Sequence, residues 1–441
     1  MLTKVVKFGG SSLADAKQFM KVANIINSDP ARRYVVPSAP GKRNPKDTKV
    51  TDMLYACYDK AVIGENFSEM FDMIKQRYNS IIEELQLDMS LEQEFETIRH
   101  SFMARAGRDY AASRGEYLNG KILAKYLGYR FIDAAEVIFF NDEGKLNLPL
   151  TLRSVKDKLS KNEKAVIPGF YGSMPNDTIK TFSRGGSDIT GSIVAAAVDA
   201  DLYENWTDVS GFLVCDPRIV PDPEPIQTIT YRELRELSYM GAGVLHEDAI
   251  FPVRKAGIPI NIRNTNKPND PGTMIVEDAQ NSECKFTITG IAGHRGFAAV
   301  TIEKDMMNSE LGFGRKVLEV FESFGISFEH MPSGIDTMSI IVHKDVLEEK
   351  EEAIIRALYD TVKPDHIEID RDMALIAVVG RGMRSQRGTA ARIFAALAHA
   401  KINVKMIDQG SSELNVIVGI NSENFEAAIK AIYDIFVTEK L

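Results

Sequence analysis

The chain has 441 residues, 44% of them apolar and 26% charged, and carries a net charge of −9 at neutral pH. That length leaves room for roughly two to four domains, and the acidic balance argues against a nucleic-acid or anionic-membrane partner, so an anionic substrate must meet a local cluster of Lys and Arg. Its three cysteines, Cys57, Cys215 and Cys284, are odd in number and far apart, which excludes a disulfide framework or a zinc site and suits a reducing, cytoplasmic setting.

The N-terminus, MLTKVVKFGGSS, is too poor in apolar residues for a signal peptide, and no later run reaches transmembrane length. KVVKF (4–8) reads as a buried strand that puts Lys7 near its end, with Gly9, Gly10, Ser11 and Ser12 leading into a helical pattern at 14–27. A strand, a glycine turn and a helix start form an anion site, and the lysine adds charge; a tight connection is the plainer reading. No GxxxxGK[ST] occurs, so this is not a Walker A loop. The next strand, 33–39, ends near Ser38. Residues 41–52, GKRNPKDTKVTD, include Lys42, Lys46, Lys49 and Thr51 with no apolar anchor before Val50, as in a mobile lid or a solvated loop.

RGEYLNG puts Glu116 at the start of a helix over 116–128, and KAVIPGFYG (164–172) reads as one buried strand. In TFSRGGSDIT, Arg184 and two glycines precede Ser187, Asp188 and a helix over 187–200. Glycines let backbone N–H groups approach an anion, and an arginine fork suits a carboxylate or phosphate. A further strand ends in Thr207 and Asp208, with Arg218 ten residues on. Singly these have plain readings: Ser187 as a cap, Glu116 favoured by the helix dipole, Asp208 as a turn residue, Arg218 as a surface cation. Strands alternating with helices predict an α/β fold, a mostly parallel sheet sandwiched by helices, with ligands at the strands' C-terminal ends.

Beyond 264–278, rich in Asn and Pro, the order β-α-β-β-α occurs twice with a period of about 75 residues, the ferredoxin-like unit. The first copy is predicted as strands 297–303, 326–331, 336–343 and 366–371 with helices 312–324 and 346–358. The second has strands 374–379, 402–408 and 414–420 with helices 388–400 and 423–438, and lacks a last strand that 285–293 would fill. The predicted domains are therefore 1–284, an inserted unit at 297–371, and a unit made of 285–296 with 372–441. In the inserted unit, Ser309, Gly312, Phe313 and Gly314 open a helix whose N–H groups suit an effector's carboxylate, and Asp336 stands ready for its ammonium.

KFGGSS, SRGGSD and NWTDVSG in this order resemble the aspartokinases of the amino acid kinase superfamily, and ELSYMGAGVLHEDAIFPV, RNTNKPNDPGT and QGSSELNVIVGI extend the likeness over essentially the whole chain. The resemblance implies an amino-acid-kinase fold followed by two βαββαβ ACT domains. It implies ATP- and magnesium-dependent phosphorylation of the β-carboxylate of L-aspartate to 4-phospho-L-aspartate, with no metal held by protein ligands alone. Lys7 and Asp188 would be catalytic. Ser38, Thr51, Glu116, Arg184 and Ser187 would bind substrate, Glu116 taking the ammonium and Arg184 a carboxylate. Lys7, Gly9, Gly10, Ser11, Thr207, Asp208 and Arg218 would hold the nucleotide. L-lysine would inhibit through the ACT domains, and the chain would form a homodimer or homotetramer through them. A second, homoserine dehydrogenase domain is not expected at this length. One departure stands out: many members carry lysine where this chain has Gly243, and Arg218 or a cation of 41–52 would compensate. Two rival readings remain, a kinase for another amino-acid carboxylate and an inactive amino-acid sensor on a kinase scaffold.

Overall fold

The computed structural model describes residues 2–159, 163–183, 185–243, 245, 247–279, 285–384 and 386–438. Chain contacts divide it into two compact units: Met1–Phe212 with Pro225–Tyr231 and Val244–Gln280, and Leu213–Glu224 with Arg232–Gly243 and Asn281–Leu441. This differs from the expected break near residue 284, because two segments, 213–224 and 232–243, go with the C-terminal part. Their bonds show why. Ile291 N–H donates to the Val214 carbonyl at 2.6 Å, and Glu233, fully buried, accepts from Arg381 and Thr289.

The first unit is built on an eight-stranded sheet. Four central strands run parallel: Arg32–Pro37, Lys4–Phe8, Leu202–Thr207 and Ile260–Asn264, in that spatial order. Parallel strands buried on both faces need near-continuous apolar runs, and Val5, Val6, Phe8, Val35, Val36, Tyr203 and Trp206 are all sealed from water. Glu204 is equally buried, and it is tolerable because Arg32 Nε at 2.8 Å and Trp206 Nε1 at 2.8 Å both donate to it. Breaking that pair would leave an uncompensated buried charge, typically about 3–5 kcal/mol.

Several boundaries depart from expectation. The helix expected at 116–128 runs Arg108–Leu127, from Gly107 (φ 109°) to a left-handed Gly128. Glu116 therefore sits in the middle of a buried helix and not at its start. The single strand expected at 164–172 is two, Ala165–Val166 in the large sheet and Tyr171–Ser173 in a hairpin with Ile179–Thr181. Pro168 and Gly169 separate them.

The second unit has a five-stranded antiparallel sheet covered by helices. Two of its strands, Gly290–Glu303 and His366–Val379, are each 14 residues long and fuse runs that the sequence presents as separate. Along their first stretch, 290–295 and 374–379 continue to Asn415–Ile420 and Val404–Asp408; along the second, 297–303 and 366–373 continue to Thr337–His343. Residues 326–331 form no strand; His330 and Ser333 make isolated bridges to Ile341 and Met338, since Pro332 interrupts the donors an edge ladder needs. The helix expected at 346–358 is Lys344–Glu348 followed by Glu351–Val362. Cys57 and Cys215 are buried free thiols, and no helix among the described residues is long and apolar enough to cross a membrane.

Candidate active site

The C-terminal ends of the four parallel strands gather the polar residues of the first unit. Lys7 leaves its strand one position before the end and pairs with Asp188, Nζ to Oδ1 2.6 Å. Asn205, on the neighbouring strand and in register with Lys7, donates to Asp188 Oδ1 at 2.8 Å and accepts from Lys7 at 3.4 Å. The three form a closed triangle in which Lys7 is 8% exposed, so its charge acts in a medium that screens it poorly.

The backbone beside this triangle is pressed together. Gly9 N–H donates to the Trp206 carbonyl at 2.9 Å, and Gly41 N–H to the Gly10 carbonyl at 2.8 Å. A Cβ on Gly10 would stand 2.9 Å from the Ala39 carbonyl oxygen, and one on Gly41 2.6 Å from the Gly10 carbonyl carbon. Both glycines are thus required by space. Ser11 and Ser12 follow in a 3₁₀ turn, Gly10–Leu13, where Ser12 Oγ meets Thr265 Oγ1 at 2.8 Å.

The segment 41–49 contains no helix or strand, yet it is tied down. Asp47 accepts from Arg43 and from the buried Arg77, whose other nitrogen holds the Gly41 carbonyl. Arg43, and then Arg77, keep the Asp47 carboxyl well below its usual range. Lys42 and Lys46 are exposed.

On the other side stands the buried helix Arg108–Leu127. Ala39 N–H donates to Glu116 Oε1 at 3.1 Å, and Asn119 Nδ2 to the Ser38 carbonyl at 2.7 Å. Thr51, in the first turn of the helix Val50–Val62, faces the same stretch, 3.7 Å from where a Cβ on Gly115 would be. Burial pushes the Glu116 carboxyl up to about 8, against the lowering effect of the Ala39 N–H. Ser187 is buried in the first turn of the helix Gly186–Ala197, so close to Gly169 that a Cβ there would lie 2.6 Å from its Oγ. Phe170, at an unusual φ of 83°, puts its ring against Gly186.

Lys7, Gly9, Gly10, Ser38, Thr51, Glu116, Ser187 and Asp188 are therefore brought to one edge of the sheet, and Thr207 and Asp208 close the adjacent strand, bonded to each other at 3.1 Å. Arg184 lies outside the described residues. Arg218 belongs to the second unit, where it grips Asp216 of its own turn at 2.6 Å and is 88% exposed. Gly243 also belongs to that unit, exposed and with open space around it. Sequence reading missed Asn205, Asn119, Gly41 and Arg77. Arg77 alone left a signal, a cation within the apolar stripe of Phe71, Ile74, Tyr78 and Ile81.

In the second unit, Gly312 (φ 80°) precedes the helix Phe313–Ser323, with Phe313 buried beneath it and Gly314 in its first turn. Ser309 ends a 3₁₀ turn, and Asp336 Oδ1 accepts from Met306 N–H at 2.9 Å, so the two loops adjoin. A groove of about 360 Å³ on the sheet of this unit is lined by Ser339, Asp370 and Lys405 and by none of the five expected effector residues.

A strand–glycine–helix edge with a buried lysine makes an anion-binding site in an α/β protein, and comparison with known proteins narrows the class. Residues 3–264 match the model of the amino acid kinase family, and 376–436 that of an ACT domain. Aspartokinase 3 of Bacillus subtilis is 39% identical, with 98% of each chain covered. The structure of Clostridium acetobutylicum aspartate kinase superposes with a TM-score of 0.91 at 54% identity, covering 99% of this chain and all of that one. Escherichia coli aspartokinase III, solved with lysine and aspartate, shares the fold at TM-score 0.73 and 24% identity over 99% of both chains. The chain belongs to the amino acid kinase family. Within it, this is an aspartate kinase with a C-terminal ACT region, the setting of allosteric control in amino-acid biosynthesis.

Proposed function

We propose that the chain transfers the γ-phosphoryl group of ATP to the β-carboxylate of L-aspartate, opening the route to lysine, threonine and methionine, and that L-lysine inhibits it through the ACT region. The observation that carries the catalytic part is the Lys7–Asp188–Asn205 triangle at the mouth of the Gly9–Gly10 turn. The substrate carboxylate is already ionised at neutral pH, so the reaction needs no strong base. It needs two anions held in line and the charge that spreads over the transferring group neutralised. A carboxylate oxygen forms a bond to γ-phosphorus as the bond to the β,γ-bridging oxygen breaks, and ADP leaves with that electron pair.

In this reading Lys7 lies along the phosphates, aimed by Asp188 and Asn205, while Gly9, Gly10 and Ser11 offer backbone N–H groups. Thr207 and Asp208 border the nucleotide. Ser38, Thr51 and Ser187 give hydroxyl contacts to aspartate, Glu116 takes its ammonium and Arg184 its α-carboxylate. Arg218 is assigned to the nucleotide by resemblance alone, its present partner being Asp216. Among the described residues no group of three or more His, Cys, Asp or Glu is placed to hold a metal. By resemblance, magnesium would arrive with ATP and neutralise charge on its phosphates.

We further propose that 297–371 is one ACT unit and 285–296 with 372–441 the other. The shared sheet supports this: the half with 290–295, 374–379, 415–420 and 404–408 has the four-strand order of a ferredoxin-like unit, and the half with 297–303, 366–373 and 337–343 has three strands of that order. Ser309, Gly312, Phe313, Gly314 and Asp336 would bind lysine. The irregular edge at 326–335, with Phe328, Met331 and Ile335 exposed, supports pairing with a second copy into a homodimer or homotetramer.

Hydroxylamine trapping of the acyl phosphate, alongside ADP release with L-aspartate, tests the activity; ADP release with no hydroxamate would overturn it. Titration with lysine and threonine tests the effector. Millimolar lysine is expected to inhibit, and Gly312→Asp to abolish inhibition with kcat nearly intact, because the new carboxylate repels the effector's own.

A further inference from the structure

The helix Arg108–Leu127 carries two buried acceptor atoms that the roles above leave unused. Glu116 commits Oε1 to the Ala39 N–H, and Asn119 commits Nδ2 to the Ser38 carbonyl. Their other oxygens, Glu116 Oε2 and Asn119 Oδ1, are buried and have no hydrogen-bond partner among the described residues. The Asn119 orientation is not arbitrary, since the carbonyl of Ser38 can only accept and so fixes the amide nitrogen toward itself.

Spaced i,i+3, the two residues share one face of the helix. Their committed halves hold neighbouring residues of a single strand end, Ser38 and Ala39, so the two remaining oxygens belong to side chains anchored at the same turn. The helix is shaped for close approach here. A Cβ on Gly115 would stand 2.8 Å from Ala39 Cβ, and one on Gly120 3.0 Å from Pro168. Buried acceptors left without donors cost stability, and a fold keeps them where a ligand or an ordered water supplies the missing hydrogens. A carboxylate oxygen beside an amide oxygen suits a group with several N–H donors and a single positive charge, a primary ammonium. A second carboxylate in place of the amide would repel the first.

We propose that Asn119 is a second ammonium-binding residue, which acts with Glu116 to select an α-amino dicarboxylate over the same dicarboxylate without its amine. The proposal rests on the assignment of Glu116 to the substrate ammonium made above, and the test separates the two. Asn119→Leu removes the acceptor at nearly constant volume, and Asn119→Ala removes it with less apolar bulk should the leucine variant fail to fold. For each, the KM of L-aspartate, the competitive Ki of succinate and the KM of ATP are measured. Loss of one hydrogen bond to a charged group predicts an aspartate KM raised about tenfold or more. Succinate, which has no ammonium, and ATP should stay within about twofold.

A parallel rise for aspartate and succinate would mean that Asn119 only braces Ser38, and the proposal would fall. An unchanged aspartate KM would overturn it too. Glu116→Gln is run beside them. If it leaves the ratio of aspartate KM to succinate Ki untouched while the Asn119 variants raise it, the Glu116 assignment fails and that of Asn119 stands; the reverse result rejects Asn119 alone.

Discussion

Among the helices that begin on a left-handed glycine, two, one in each unit, contrast: Gly186–Ala197 after Gly185 (φ 56°) and Phe313–Ser323 after Gly312 (φ 80°). Around the first there is no room. A Cβ on Gly186 would lie 2.4 Å from the Phe170 ring, and one on Gly169 would collide with Ser187. A Cβ on Gly312 would meet nothing within 4 Å. The same local motif thus serves opposite ends. In the kinase unit, glycine lets backbone and ring close on one fixed geometry, as preorganised catalysis requires. In the ACT region, glycine supplies only the turn and leaves the helix start uncrowded.

The contrast predicts that chemistry and control separate under mutation. Lys7→Ala should lower kcat at least about 100-fold with little change in aspartate KM, because the charge it removes is felt most in the transition state. Calorimetry should still find lysine bound, and loss of both would break the comparison. The next largest effect is that of pH. Burial raises Glu116 from 4.5 to about 8, so the free acid holds a proton that must leave when an ammonium arrives. Aspartate KM should therefore fall as pH rises from about 6 to 8, by up to about tenfold per unit, and Glu116→Gln should flatten the profile. The linked stability runs the other way. With the folded value above the unfolded one, the contribution is full below about 4.5 and lost as pH rises through about 8, so the wild-type Tm should decline more over that range than that of Glu116→Gln.

Smaller effects sharpen the comparison of the two helix starts. Gly186→Ala should cost about 1–3 kcal/mol through overpacking against Phe170, read as a lowered Tm together with raised substrate KM values. Gly312→Ala meets no neighbour and carries only the left-handed backbone penalty, about 1 kcal/mol, with kcat unchanged. Equal costs at the two positions would show that crowding is not what sets them apart.

What could be read from the sequence was local. Lys7 with its glycines, and Ser187 with Asp188, announce themselves within a dozen residues, because strand, turn and helix start follow one another along the chain. Asn205 did not, since its role depends on its strand lying beside Lys4–Phe8, and the two residues are 198 positions apart. Asn119 was hidden in the same way, inside a helix whose burial no periodicity reveals. The segment 326–331 alternates like a strand, but it finds only isolated bridges to its neighbour. The long strands of the ACT region looked like pairs because His294–Gly296 and Arg371–Asp372 are polar or exposed, as turn residues are.

Those interruptions matter for how the shared sheet keeps its phase. From Arg295 to Phe297 one strand advances two residues while its partner advances one, from Ala374 to Met373; from Phe297 to Ala299 the partner advances three, to Asp370. Each strand thus carries one extra residue, and the two offsets cancel. They also reverse the alternation. Ile291 and Gly293 pair with Val378 and Ile376 in one half, whereas Val300 and Ile302 pair with Ile369 and Ile367 in the other, so the inward-facing positions change from odd to even on one strand and from even to odd on the other. The junction works like a paired frameshift and its suppressor. Deleting Gly296 alone would put one half out of frame and turn Ala298, Val300 and Ile302 to the wrong face, whereas removing one residue from each strand together would bring the ladder back into step but leave one half inside out.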